Sequence, residues 1–310
     1  MNFEEFTLRI KEDLPGYLSG DLAGAKVGVE QFTKNNDQVF TGITVQMNDS
    51  GASLVVYLEG YYLKYISGVS LADILSDMAE ACGSRNIPSI DIKDVTDLDN
   101  VADNILCKVI NAERNKEYLK DKPHKIIEDL AVIYYIDLGE TDDHNARLTV
   151  TITNSLFAQY YLNINELHRI ALFNMWKSGI EFRSMHDMLI DLARAKGVSL
   201  PDELEDDVSG VPQMFVLSAN NRFNGAAAIL REQTMEEISD SFGGHDFVVI
   251  PSSVHEVIIL PIDESNEGYD KDMLNSMVCD VNENEVAETE YLSDHVYIYK
   301  ADEKKLVSAA

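Results

Sequence analysis

The amino-acid sequence predicts an α/β protein of the α+β kind, in which mixed β-sheets are flanked by helices. Runs of β-branched residues alternate with amphipathic stretches, and the last third reads strand, helix, strand, strand. Two consecutive strands joined by a tight turn pair antiparallel, so the sheet cannot be purely parallel. At 310 residues the chain is long enough for two modules, which we place at residues 1–94 and 95–310.

The first module begins with an amphipathic helix. Its apolar residues recur at helical spacing and end at a Pro-Gly pair, in the order Phe3, Phe6, Ile10, Leu14, Pro15 and Gly16. Residues 26–47 favour two strands around the turn Asn35-Asn36-Asp37, and residues 54–58 favour a third strand. Ser70 and Asp73 are spaced to cap a helix that ends at Gly83. Residues 83–100 then predict a linker.

Strands and capped helices alternate in the second module. Residues 130–136, which are aromatic and β-branched, predict a buried strand, 147–152 predict another, and 105–110 fit a strand or a helical turn. Two pairs have the spacing of helix caps: Asn163 with Glu166, and Ser184 with Asp187. The acidic stretch 201–210 predicts an exposed loop.

The final third predicts a sheet with a crossing helix. Residues 213–217 favour a strand and 226–242 a helix that stops at Gly243-Gly244. Residues 246–250 and 254–260 favour two strands joined by Pro251-Ser252-Ser253. Because both strands are apolar on both faces, we expect adjacent central strands. On this interpretation Ile258→Ala costs roughly 2 to 5 kcal/mol.

The charge balance restricts the classes of partner. Lys and Arg total 25 against 54 Asp and Glu, a net charge of -29. Phosphate backbones and anionic lipids repel such a chain, and its densest basic run, residues 114–125, is interleaved with acids. We therefore expect no direct nucleic-acid or membrane binding. A protein partner with a basic surface fits the charge better.

Cysteine usage and the amino terminus indicate the cytoplasm. Cys82, Cys107 and Cys279 stand far apart, without the spacing of a metal site or a disulfide framework. The first residues are acidic and amphipathic, unlike a secretory signal. We expect neither a metal nor a cofactor.

Several stretches together resemble an uncharacterised bacterial family of unknown function. The most specific is the Pro-Ser-Ser-x-His-Glu-Val-Ile run at residues 251–258. The others are Phe32-Thr33-Lys34-Asn35-Asn36, residues 56–62, Asp129-Leu130-Ala131-Val132, residues 221–227 and Leu292-Ser293-Asp294. The resemblance spans the chain and implies no activity.

Two segments supply the candidate ligand-site residues. The first, with Asn221, Arg222 and Asn224, joins a predicted strand to a predicted helix, where free backbone amides and an arginine suit an anion. It lacks the glycine spacing and lysine of a phosphate loop. A polar connection with Asn224-Gly225 as turn and cap is the simpler interpretation.

The second segment contains Ser252, Ser253, His255 and Glu256. A zinc-protease interpretation fails because residue 259 is Ile and the context predicts a strand, in which His255 and Glu256 point to opposite faces. Ser253 and His255 are spaced as a nucleophile and base, but no third partner or glycine elbow accompanies them. The alternative is structural, with these side chains satisfying backbone groups at a strand junction.

Three hypotheses of function remain open. The first is a non-enzymatic interaction protein that acts through its acidic surface on a protein partner. The second is a hydrolase or small-ligand-binding enzyme with a site near residues 221–225 and 252–256. The third is a nucleic-acid mimic that inhibits a basic DNA- or RNA-binding protein. A concave pocket shared by the two segments favours the enzyme, and a closed packed junction favours the interaction protein.

Overall fold

A computed structural model describes residues 1–46, 53–83, 92–140, 147–197, 213–262 and 270–309. Numbered in chain order, its helices are α1 Phe3–Asp13, α2 Glu59–Ile66, α3 Leu71–Gly83, α4 Ile92–Thr96, α5 Leu98–Val101, α6 Asn154–Gln159, α7 Ile164–Ser178, α8 Met185–Lys196, α9 Glu232–Ser241 and α10 Lys271–Asn284. Short 3-10 turns cover Leu14–Gly16, Gly20–Leu22, Asn35–Asp37, Ala102–Asn104, Glu113–Asn115, Tyr118–Asp121 and Gly225–Leu230.

The strands form three antiparallel sheets, so the predicted α+β class is confirmed. In chain order they are β1 Lys26–Thr33, β2 Val39–Gln46, β3 Ser53–Tyr57, β4 Ile105–Asn111, β5 His124–Ile127, β6 Leu130–Glu140, β7 Arg147–Thr151, β8 Ile180–Ser184, β9 Phe215–Ala219, β10 Phe247–Pro251, β11 Glu256–Pro261, β12 Tyr297–Lys300 and β13 Lys305–Ser308.

The chain folds as two compact units, Met1–Ala102 with Ile136–Val150, and Asp103–Tyr135 with Thr151–Ala310. The module boundary between residues 94 and 95 stays a prediction. In the first unit, β1, β2 and β3 form an antiparallel sheet in that order, with Val29 opposite Ile43. Apolar residues of α1 and α3 pack on it, among them Phe6, Ile10 and Met78, each 0% exposed. Their burial supplies the main favourable term of this unit.

The second unit is built on a six-stranded sheet of order β13-β12-β10-β11-β9-β8, in which every neighbouring pair is antiparallel. The two strands β10 and β11 are adjacent and central, as the sequence predicts. Helix α10 covers one face of the sheet through Leu274 and Val278, which pack with Val248 and Leu260. Side chains of the opposite face, such as Phe247, Val249 and Ile259, are 0% exposed.

The predicted caps and turns agree with the structure. Asn163 and Glu166 form a complete capping box at α7, and the Ser184 hydroxyl accepts the Asp187 amide at α8. In the hairpin turn after β1, Asn36 takes a positive φ of 60°, which asparagine tolerates. The 105–110 segment is a strand, and 130–136 is buried throughout.

Other predictions are corrected. The helix expected over 226–242 is a 3-10 turn followed by α9, because Arg231 is extended (φ -89°, ψ 106°) and separates them. The described part of the expected 83–100 linker contains α4 and α5. Strand β11 begins at Glu256, so His255 lies in the preceding bend and not in a strand. The acidic 201–210 stretch lies outside the described residues.

Candidate functional site

The two predicted ligand-site segments converge in the structure. The amide of Asn224 donates to Nδ1 of His255 (3.1 Å), and the Ser218 hydroxyl donates to the His255 carbonyl (2.8 Å). The Phe223 ring lies 5.7 Å from the imidazole. Ser253 Oγ accepts the amide of His255 (3.0 Å), and Phe223 donates its amide to Asn221 (3.1 Å). The two segments therefore meet at the His255 side chain, which contacts the Asn224 amide and the Phe223 ring.

The junction is tightly packed beneath its rim. A Cβ added to Gly225 would lie 2.2 Å from the Ala219 nitrogen and 2.6 Å from the His255 carbonyl oxygen. Asn224 is 6% exposed, whereas Asn221 and Arg222 lie on the surface, where Arg222 pairs with Glu181 (3.3 Å). Ser252 and Glu256 are partly exposed. Such close packing leaves no room for a ligand atom at Gly225.

The hydrogen bonds decide the tautomer of His255. Its Nδ1 accepts a backbone hydrogen, so the neutral ring carries its own hydrogen on Nε2, which lies 3.8 Å from Glu290. Burial lowers the pKa of His255, against the opposing effect of Glu290. Ser253 faces the backbone amide of His255. A proton transfer from Ser253 to His255 therefore has no acceptor lone pair available on Nδ1.

A second polar cluster surrounds Asp129, in the turn between β5 and β6. Oδ1 accepts the Tyr297 hydroxyl (2.6 Å). Oδ2 accepts the Ser293 hydroxyl (3.1 Å) and faces His295 Nε2 (3.3 Å) and the Asn111 amide nitrogen (3.5 Å). A half-buried carboxylate with this many donors is held in its charged form.

The titration of the cluster follows from this geometry. Burial of Asp129 opposes its charge, but the hydrogen bonds from His295, Tyr297 and Ser293 outweigh burial and lower its pKa. The hydrogen bond to Asp129 raises the pKa of His295. Both ring nitrogens of His295 face oxygen atoms, since Nδ1 lies 3.2 Å from the Val296 carbonyl and 3.4 Å from Ser308 Oγ. The site favours a carboxylate and imidazolium pair.

This cluster borders a cavity of about 1010 Å³ in the second unit. Among its lining side chains are Asp129, His295 and Ser308. None of the seven residues predicted from the sequence lines it. Sequence reasoning missed it because Asp129 and Tyr297 are 168 positions apart and carry no local motif. Two of its residues, Asp129 and Ser293, do lie in stretches quoted for the family resemblance.

The fold is of the α+β class, and both polar junctions lie in its second unit. The chain belongs to a family of unknown function, DUF5688, whose model matches residues 3–301. No curated protein and no solved structure matches the chain. Within the described residues, no helix is long and apolar enough to cross a membrane, and no group of three or more His, Cys, Asp or Glu is placed to hold a metal ion.

Proposed function

We propose that this chain is an interaction protein that binds a basic, partly apolar segment of a partner protein. The observation that carries the proposal is the half-exposed Trp176, the single tryptophan of the sequence. Trp176 lies in the last turn of α7 beside Phe173, which is 56% exposed, with ring centroids 5.7 Å apart. Exposed tryptophan and phenylalanine side chains are enriched where proteins bind each other.

The two aromatic rings border a groove between α7 and α9. Two hollows of about 660 and 340 Å³ share Trp176 and Arg231, and we call them together the Trp176 groove. Three glutamates line it: Glu232, Glu236 and Glu237. Glu232 and Glu237 are exposed, and Glu236 pairs with Lys304 (3.0 Å). The groove therefore places the exposed aromatic rings of Phe173 and Trp176 beside negatively charged glutamates.

The groove already binds one cation of the chain itself. The Arg231 guanidinium lies 5.5 Å from the Trp176 ring centroid and donates to Thr234 (3.0 Å). Cation–π contacts of this kind are worth about 0.5–1 kcal/mol at exposed sites and more when desolvated. A lysine or arginine of a partner that displaces Arg231 would meet the Trp176 ring with one exposed carboxylate in each hollow, Glu232 in the larger and Glu237 in the smaller. Net charge -29 would attract such a partner from a distance.

The other hypotheses have less support. A hydrolase near residues 221–225 and 252–256 must work at a tightly packed junction where His255 Nδ1 already accepts a backbone hydrogen. The nucleic-acid mimic rests on net charge alone. The cytoplasmic location stays a proposal that rests on the isolated cysteines.

Fluorescence of Trp176 tests the proposal directly. We expect a short peptide of alternating leucine and lysine to shift the emission, and its counterpart with glutamate in place of lysine to leave it unchanged. The response should weaken between ~0.05 and ~0.5 M NaCl, because exposed charges are screened. Equal responses to both peptides would contradict the proposal.

Matched variants locate the binding. Glu232→Gln with Glu237→Gln should weaken the response to the lysine peptide, whereas Glu283→Gln with Glu285→Gln, exposed acids outside the groove lining, should not. Both pairs change net charge equally, so equal losses would show that bulk charge and not the groove binds the peptide. In affinity captures from native lysate at low and high salt, Trp176→Ala should lose a partner that wild type retains at low salt.

A further inference from the structure

Strand β1 lies at the edge of the first unit's sheet. It has eight residues, contains no proline and pairs with β2 in unbroken register, from Lys26 opposite Gln46 to Thr33 opposite Val39. The strands β3, β8 and β13, at edges of this sheet and of the six-stranded sheet, have four or five residues. Proteins commonly keep edge strands short or interrupt them with proline and bulges, because an edge is a template for another strand. The edge of β1 is long and regular enough to accept one.

The hydrogen bonds around β2 show which groups of β1 point outward. Lys34 donates its amide to the Gln38 carbonyl (2.8 Å), and Leu58 donates to the Thr41 carbonyl (2.9 Å) from the other side of β2. Because bonding alternates along an antiparallel pair, even-numbered residues of β1 bond to β2 and odd-numbered residues point to the outer edge. The four outward residues are Val27, Val29, Gln31 and Thr33. Among the described residues, β1 bonds to β2 alone, so one N–H and one C=O of each outward residue stay available over about 20 Å.

A groove of about 420 Å³ runs between this edge and helix α1. The helix lines it with Phe3, Glu4, Thr7, Leu8 and Lys11, and the sheet lines it with Val29, Glu30, Gln31 and Thr41. Val29 packs on the core of the first unit, so the odd-numbered side chains of β1 lie on the face that α1 covers. Leu8 is 53% exposed. Every second side chain of a strand added to β1 would therefore face this groove and could bury the surface of Leu8.

The charge at the edge favours a cation in the added strand. Glu30 is exposed, and within the described residues it forms no ion pair. Its side chain lies on the face opposite to that of Val29, because neighbouring residues of a strand alternate. A residue of the added strand directly opposite Glu30 lies on the same face as Glu30. A lysine or arginine there forms a cross-strand pair of opposite charge, which stabilises strand pairing.

A second copy of the chain fits this edge less well. The antiparallel register that uses all four outward residues places 27 opposite 33 and 29 opposite 31. The Glu30 side chains of the two copies then face each other, and like charges directly opposite destabilise a strand pair. Each copy also carries a net charge of -29. The occupant that fits is a different chain with a basic residue at the centre of the segment.

We propose that β1 binds an extended segment of a partner protein by strand addition. The segment has apolar residues at alternate positions and a lysine or arginine between them. The outward backbone groups of β1 bond to the segment, Leu8 and Val29 contact its apolar side chains, and Glu30 pairs with its cation. The surface lies in the first unit, whereas the Trp176 groove lies in the second. Trp176→Ala should therefore leave binding at β1 unchanged.

Hydrogen exchange at single amides, followed by NMR, tests the proposal. The probe is an acetylated heptapeptide, Val-Thr-Val-Lys-Val-Thr-Val, which places a valine opposite each outward residue and the lysine opposite Glu30. At millimolar peptide we expect exchange at Val27, Val29, Gln31 and Thr33 to slow at least about threefold. Exchange in the edge strand β8 should not change. Unchanged exchange at the four β1 amides would overturn the proposal, as would their protection without peptide in proportion to protein concentration, which would indicate a second copy.

Two N-methylated peptides separate backbone pairing from side-chain contact on the wild-type protein. Methyl groups on the two inner valines remove donors that face β1, whereas methyl groups on the two threonines lie on the far edge of the added strand. We expect the valine-methylated peptide to bind at least about tenfold more weakly than the parent peptide, and the threonine-methylated peptide within about twofold of it. Equal affinities of the two methylated peptides would contradict strand addition.

Matched variants locate the site on the chain. Gln31→Pro removes an outward N–H but keeps the ladder to β2, and it should weaken the peptide about fivefold or more, whereas Gln31→Ala keeps the amide and should bind within about twofold of wild type. Glu30→Gln should weaken binding about twofold to fivefold. Glu12→Gln, an exposed acid of α1 outside the groove lining, should not. Thermal melts verify folding, and equal affinities across folded variants would place the peptide elsewhere and refute the assignment.

Discussion

At the scale of single residues, the Asp129 carboxylate is the shared acceptor at the centre of a polar cluster. It accepts from Tyr297, Ser293 and His295, which come from the C-terminal part of the chain. Hydrogen bonds to a charged group contribute about 1.5–3 kcal/mol each, and burying the donors without an acceptor is costly. We expect Asp129→Asn to lower the free energy of unfolding by about 2–4 kcal/mol in denaturant titrations. Asp302→Asn, at an exposed position, should change it by less than about 0.5 kcal/mol.

The ion pair of Asp129 and His295 predicts that the free energy of unfolding depends on pH. The pKa of Asp129 is lowered in the folded state, so its contribution is present above its ordinary pKa of 3.8 and is lost as pH falls. The pKa of His295 is raised, so its contribution is complete below 6.5 and is lost as pH rises through the folded value. The cost of Asp129→Asn should therefore be largest between these two values. A cost that grows steadily above pH 8 would contradict the ion pair.

Substitution of Gly225 tests how tightly the junction between residues 221–225 and 252–256 is packed, because the added Cβ acts only through steric contact. An alanine Cβ there would lie 2.2 Å from the Ala219 nitrogen and 2.3 Å from Ser218 Oγ, and backbone cannot move away cheaply. We expect Gly225→Ala to cost more than about 3 kcal/mol or to prevent folding. Gly60, inside α2, has no atom within 4 Å of an added Cβ. Gly60→Ala should stabilise by up to about 1 kcal/mol, and equal melting of the two variants would refute the packing.

At the scale of elements, local chemistry determined what the sequence could predict. Caps such as Asn163 with Glu166 are visible because the interacting groups are three residues apart. Helix α2 was not predicted, because Tyr61 and Tyr62 favour strands locally. In the fold, both tyrosines pack against the core of the first unit, and this tertiary packing outweighs the local preference. The short strands β12 and β13 and helix α10 were also missed. The sequence left open whether the segments of Asn224 and His255 meet, and it gave no sign of the Asp129 cluster, because only the fold brings those residues together.

The central strand pair permits a sharper prediction than the sequence allowed. Ile258 is two residues from Leu260 on the same face of β11 and is only partly buried, whereas Ile259 on the other face is 0% exposed. The loss of roughly 2–5 kcal/mol that the sequence predicts for Ile258 is therefore expected at Ile259. We expect Ile259→Ala to cost about 2–5 kcal/mol and Ile258→Ala about half as much. Urea titrations of both variants give the comparison. A larger loss for Ile258 would reverse the assignment of the two faces of β11.

At the scale of the whole molecule, repulsion among acids is the main long-range electrostatic term. If all 25 basic residues pair with acids, 29 of the 54 acids remain without a cationic partner. Exposed ion pairs such as Arg183 with Asp191 (2.6 Å) contribute roughly 0–1 kcal/mol and are screened by salt as well. Repulsion among the acids that lack a cationic partner therefore exceeds the attraction within the exposed ion pairs, and added salt weakens both.

This balance predicts that added salt stabilises the protein. Raising KCl from ~0.01 to ~0.15 M shortens the Debye length from about 30 to 8 Å, which screens repulsion across the surface. We expect Tm to rise by about 2–4 °C, corresponding to roughly 1 kcal/mol in a chain of this size. Glu283→Gln with Glu285→Gln should raise Tm at low salt and reduce the salt response, since both carboxylates are exposed. A Tm that falls with KCl would show that ion pairs outweigh the repulsion, and the acidic surface would then have a stabilising role that net charge alone does not predict.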